Sequence, residues 1–161
     1  MQTAHLGLSC DQARPLKFRG RLVKHIPIFR FALRTLGQLI WSSDDDSWGS
    51  LDPIVTLHPD ALFFEAFSSD LASYGCLRVC TDLFESEGDV EYGTTNIDFS
   101  GWLWAALGEL RRSRQTTLTL GNAGVSLDTA TAGGRFEPKV EVPEEWFRAF
   151  LEVQAAMTRG G

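Results

Sequence analysis

The sequence predicts an α+β domain: an antiparallel or mixed β-sheet with about three helices packed mainly on one face. Three observations lead there. Strand-like segments come in runs rather than alternating singly with helical ones, which is the order found where helices gather on one side of a sheet. Three segments place apolar residues at helical spacing. Two β-forming runs flank Gly121-Asn-Ala-Gly124, a hairpin signal. The chain has 161 residues, 43% of them hydrophobic, with 11 Phe and 5 Trp. That is the length of one domain, with enough apolar surface to offset the entropy of ordering.

Each element has its own signal. Residues 1–14 are mixed in character and read as a flexible tail. The domain is expected over 15–158, with 159–161 as a short C-terminal tail. Lys17 to Val23 alternates basic and apolar residues, the pattern of a short strand or extended arm. From Pro27 onward, Phe29, Leu33, Leu36 and Ile40 fall on one helix face. Pro27 suits a first helical turn, where its missing N–H costs nothing. Residues 42–53, rich in Ser, Asp and Gly, read as a loop. Strands are expected at Ile54–Leu57, Ala61–Phe67 and Tyr74–Val79, and weaker ones at Val90–Tyr92 and Thr94–Phe99. Ser100 is a suitable N-cap for a helix from Trp102 to Arg112. The hairpin strands are Thr116–Leu120 and Val125–Thr129, followed by a strand over Phe136–Val142. Pro143, Glu144 and Glu145 open the last helix, whose apolar face is Trp146, Phe150, Val153 and Met157.

Charge is unevenly distributed. The chain carries a net −6. Residues 1–43 hold seven Lys/Arg against one Asp; residues 44–98 hold thirteen acids against one Arg; the remainder balances. No apolar run approaches the roughly 20 residues needed to span a bilayer. The N-terminus has no charged segment followed by an apolar one, so the expected location is the cytoplasm and no membrane partner is expected. Three cysteines form no disulfide framework. Cys76 and Cys80 lie on one expected strand, roughly 13 Å apart, too far for a bond.

The sequence holds few residues in patterns that carry chemistry. The acidic loop from Asp44 to Gly49 would place Trp48 and Val55 where a calcium loop needs ligands, and therefore reads as a solvated loop. Cys10, Cys76, Cys80, His5, His25 and His58 include no zinc-type spacing, so no metal and no cofactor are expected. No nucleophile elbow occurs, and Cys76 and Cys80 read as small buried hydrophobes. The glycine loops at 121–124 and 133–134 lie between strands, not before a helix as phosphate binding requires. The basic segment stands apart. Arg14, Lys17, Arg19, Arg21, Lys24, Arg30 and Arg34 occur in a stretch without acids, interleaved with Phe18, Phe29 and Phe31. Such a segment either contacts a polyanion or partner, or neutralises the chain's own acidic middle, and the second reading is favoured.

Several blocks also carry a resemblance. HIPIFRFALRTLGQLIW, LDPIVTLHPDALFFEAFSSDLASYG, EYGTTNIDFS and VPEEWFRAFLEVQAAM resemble an N-terminal region of bacterial proteins that carry a SWIM-type zinc finger further along. The similarity covers about residues 22–158. The finger's CxC and CxH pairs do not occur here, so no zinc ligand is carried over. The resemblance implies a module of larger, adaptor-like or nucleic-acid-associated proteins.

The function expected is thus a non-catalytic protein-interaction or adaptor module of a bacterial multi-component system. The alternatives are a nucleic-acid-binding module using residues 14–34 and an enzyme of unrecognised type.

Overall fold

The structure is a computed structural model that describes residues 16–40, 53–68, 70–96, 106–108, 110–121, 124–129, 135–138 and 144–159. Nine strands, three α-helical segments and one 3₁₀ turn are described within them. In order they are β1 (Lys17–Leu22), α1 (Ile26–Ile40), β2 (Ile54–Leu57), β3 (Ala61–Phe67) and β4 (Tyr74–Cys80). After a 3₁₀ turn at Thr81–Leu83 come β5 (Phe84–Ser86) and β6 (Gly93–Asn96). Helix α2 is described at residues 106–108. Then follow β7 (Thr116–Gly121), β8 (Gly124–Thr129), β9 (Arg135–Pro138) and α3 (Glu144–Arg159).

The α+β class holds, and every strand pairing among the described residues is antiparallel. The strands divide into two sheets rather than one. One sheet runs β5-β1-β7-β8-β9 and the other β4-β3-β2-β6. The division follows from β1. Its alternation buries Phe18, Gly20 and Leu22 and turns Lys17 and Arg19 to solvent. It pairs with β7 and β5, far along the chain, and leaves the β2–β3–β4 meander to form its own sheet.

Helix α1 joins the two sheets. Its Phe29, Leu33 and Leu36 are buried, as the helical spacing requires. The Phe29 amide donates to the carbonyl of His25, closing the first turn. The Phe29 ring meets Phe84 of the five-stranded sheet edge-on at 5.7 Å and Phe64 of the other sheet at 6.4 Å. Phe84 in turn meets Phe18 at 5.6 Å. These rings belong to one contiguous core. Gly75 lets the helix close on β4, because a Cβ there would lie 2.7 Å from Leu39 Cδ2 and 2.9 Å from Leu36 Cδ1.

Other departures have local causes. The helix expected to reach Arg112 has ended by Leu110, and residues 112–113 form a turn. Leu110 is buried while Arg111 and Arg112 are exposed, so the core holds the end of α2 and the arginines lie beyond it. The turn at Thr81–Leu83 and strand β5 have too few apolar residues to show a period, and neither was expected. The expected strand at Val90–Tyr92 reduces to a single bridge between Glu91 and Lys17. On α3, Ala149 and Val153 pack against the core, but Met157, expected on that face, is 72% exposed. Position 157 lies in the last turn, beyond the part of the helix that meets the core. The side chains of Trp146 and Phe150, the tail 1–14, the acidic loop, Ser100 and residues 139–142 of the expected strand lie outside the described residues.

Candidate functional site

The basic segment folds against the acidic one. Lys17, Arg19 and Arg21 alternate along the outer face of β1, and Glu85, Glu87 and Asp89 alternate along β5 and beyond. Antiparallel pairing sets Arg21 opposite Glu85. Arg21 forms an ion pair with Glu85. Arg19 Nε donates to Glu87 Oε2 at 2.8 Å and its Nη1 reaches Thr119 Oγ1 at 3.4 Å. Lys17 lies 3.9 Å from Asp89. Lys24, at the following turn, donates to Asp82 at 3.4 Å. The hydrogen bond that Arg21 donates to Glu85, then the charge of that carboxylate, hold the Arg21 guanidinium above its ordinary value.

The remaining cations turn elsewhere. Arg30 Nη1 donates to the Leu110 carbonyl at 3.3 Å, where α2 ends, and so satisfies an orphan acceptor. Arg34 is half-buried on the same side of α1, beside Gly108. Arg14 lies outside the described residues. Of the interleaved rings, Phe18 and Phe29 are core residues and unavailable for stacking on a ligand.

This ladder yields a test. In the variant Arg19→Glu/Arg21→Glu, acids face Glu85 and Glu87 across the strands. Like charges directly opposite destabilise a sheet. The melting temperature is expected to fall by several degrees and to recover in part with added salt, which screens exposed charges. Thermal unfolding at low and high salt measures it; an unchanged melting temperature in the double variant would show that the ladder does not support the fold.

A second cluster lies on the outer face of the four-stranded sheet. The Tyr74 hydroxyl donates to Glu65 Oε1 at 2.5 Å across β3 and β4. Burial, then the Glu65 carboxylate, push the Tyr74 phenol well above its ordinary value of 10.0. Cys76 is Glu65's cross-strand neighbour. Partial burial of the thiol, then the Glu65 charge, raise it as well. A raised thiol is a poor nucleophile, because the thiolate is the reactive form. Cys76 and Cys80 are nevertheless exposed, not the buried hydrophobes expected, since both point to the outer face of an edge strand. Among the described residues, no group of three or more His, Cys, Asp or Glu is placed to hold a metal ion. None of their helices is long and apolar enough to cross a membrane.

The Tyr74–Glu65 bond sets a pH dependence. A phenol whose folded pKa is raised contributes its stability below its ordinary value and loses it as pH climbs beyond. Wild-type stability should therefore fall on alkaline titration above about pH 10, and Tyr74→Phe should flatten that part of the curve. Urea midpoints between pH 8 and 11 measure this; parallel curves for the two proteins would refute it.

Helix α1 presents one more surface. Ile28 is 66% and Phe31 73% exposed. The helical spacing places both off the Phe29–Leu33–Leu36 face, so their exposure follows from the sequence; only Phe31 was expected beside the basic residues, and Ile28 carried no expectation. The complementary alternation of Lys17/Arg19/Arg21 with Glu85/Glu87/Asp89 was likewise legible, once those acids were read as a strand. No known family model matches the chain, and no curated protein matches it in sequence.

Proposed function

We propose that the chain is a non-catalytic protein-interaction module, working as an adaptor within larger assemblies. The observation that carries this is the contrast between two surfaces. Strand β1 and the turn after it, which offered a polyanion site, have Lys17, Arg19, Arg21 and Lys24 engaged by Asp89, Glu87, Glu85 and Asp82. By contrast, two large apolar side chains, Ile28 and Phe31, stand exposed within one turn of α1. Exposed apolar neighbours on a folded surface are candidates for association, because burying them against a partner removes apolar area from water. The raised Cys76 thiol gives a catalytic reading no support. The resemblance to N-terminal regions of SWIM-type proteins agrees with a module that serves larger chains.

The test uses a photo-crosslinking benzoylphenylalanine at position 31, with Phe31→Ser as the matched control. A discrete protein adduct in bacterial extract is expected, and Phe31→Ser should lose binding to that protein without a change in melting temperature. Anisotropy titrations with random-sequence duplex and single-stranded oligonucleotides should show no binding at physiological salt. Micromolar binding of nucleic acid, weakening steeply as salt rises, would overturn the proposal.

A further inference from the structure

Strand β4 is an edge strand. Among the described residues it pairs with β3 and has no strand on its other side. Its register shows which backbone groups are free. The Thr81 amide donates to the Asp60 carbonyl and the Ser68 amide to the Ser73 carbonyl, at the two ends of the β3–β4 ladder. Residues directly opposite alternate between bonded and non-bonded pairs. The bonded positions between those ends are therefore Gly75, Leu77 and Val79, facing Ala66, Phe64 and Leu62. Cys76, Arg78 and Cys80 aim their N–H and C=O groups away from β3, and all three residues are exposed. They offer about 13 Å of ladder that no described strand fills.

The edge has a wall beside it. Leu36 and Leu39 of α1 cover Gly75. The amides of Val23 and Lys24, before α1, donate to the Leu83 carbonyl, after β4. The helix therefore runs antiparallel to β4, its N-terminal end near Cys80. Leu39 shares a helix row with Thr35, Ala32 and Ile28, at spacings of four, three and four. Ile28 and Thr35 are exposed and Ala32 half-buried. This row lies on the β4 side of the helix, so a strand added to β4 would set alternate side chains against it.

The side chains on the other face select the occupant. Arg78 is at the middle of the free ladder. Its Nη2 donates to Asp60 at 2.9 Å and its Nη1 to Cys80 Sγ at 3.4 Å. The Asp60 pair is exposed and weak, so the guanidinium can add a partner. Two copies of β4 pairing with each other would set their Arg78 guanidinium groups opposite or diagonal, a repulsive arrangement. The net charge of −6 adds to that repulsion.

We propose that the β4 edge and the α1 row beside it dock an extended segment of a partner protein. That segment is apolar at alternate positions and carries a carboxylate opposite Arg78. The inference rests on reading the chain as an interaction module, and it names the surface and the chemistry of the partner. The backbone ladder supplies affinity and the flanking side chains supply choice, as in strand addition generally.

The probe is a seven-residue capped peptide with valine at positions 1, 3, 5 and 7, glutamate at position 4 and threonine at positions 2 and 6. Binding should slow hydrogen exchange at the amides of Cys76, Arg78 and Cys80 and shift the resonances of Ile28 and Thr35. A lysine-centred peptide should bind about tenfold more weakly, the factor expected of one charge-assisted contact. Arg78→Pro removes an outward N–H that no described strand uses, a substitution that edge strands tolerate. It should abolish binding and leave the melting temperature near wild type. If that variant fails to fold, Arg78→Glu serves instead and should invert the peptide preference. Equal affinity for both peptides, unaltered amide exchange, or self-association of the wild type through β4 would overturn the proposal. If Phe31-dependent partner capture survives those results, strand docking fails and the interaction reading stands.

Discussion

Phe29→Ala is expected to remove most of the protein's cooperative unfolding. Phe29 is 3% exposed and touches rings from both sheets, Phe64 on one side and Phe84 on the other. Truncating a buried Phe to Ala costs about 3–5 kcal/mol, because the transfer energy is lost and a cavity remains. Domains of this size keep only about 5–15 kcal/mol in reserve. The cavity would open where helix α1 bridges the sheets, a place where neither sheet can collapse without losing its own pairing. Near-UV circular dichroism should lose its fine structure, and the urea transition should move to much lower denaturant. Phe29→Leu keeps most of the volume and should cost under about 1.5 kcal/mol. A cooperative Phe29→Ala transition within a few tenths of a molar of wild type would show that the sheets do not depend on this junction.

The elements were legible in the sequence where a period ran long enough. Phe29, Leu33 and Leu36 mark α1, and alternating burial marks β1, because side chains repeat every 3.6 residues on a helix and every two on a strand. The hairpin of β7 and β8 was legible from turn chemistry. Pairing was not. Nothing local to Lys17–Leu22 says that its neighbours are Phe84–Ser86 and Thr116–Gly121, and this long-range choice splits the strands into two sheets. Strand β5 is three residues long, too short for a period to appear. The fate of the cationic segment depended on that same pairing, since it is β5 that brings Glu85 and Glu87 beside Arg21 and Arg19. The free edge at β4 was hidden for a related reason: whether a strand is central or terminal belongs to the sheet, not to the strand.

Gly20→Val should destabilise the protein even though it replaces a poor strand former with a good one. Valine gains up to about 1 kcal/mol in intrinsic strand preference over glycine. Packing acts in the other direction. A Cβ on Gly20 would lie 2.5 Å from Phe18 Cζ and 2.9 Å from its Cε1, and 3.0 Å from Phe84 Cβ. The Phe18 ring therefore lies over the glycine, on the same buried face of β1. Phe84 Cβ is fixed by its own strand and cannot swing aside. The added atoms must push Phe18 out of its edge contact with Phe84, and Phe84 is the ring on which Phe29 rests. Overpacking of this kind costs about 1–3 kcal/mol, and more than one ring moves, so the net effect is a loss. The cause can be separated from backbone effects by a second substitution. Phe18→Ala makes room, so Gly20→Val should cost much less in that background, and the two changes should be strongly non-additive. Chemical denaturation of the four proteins in the cycle measures the coupling. If Gly20→Val costs as much without the Phe18 ring as with it, the close approach of ring and backbone is not what reserves position 20 for glycine.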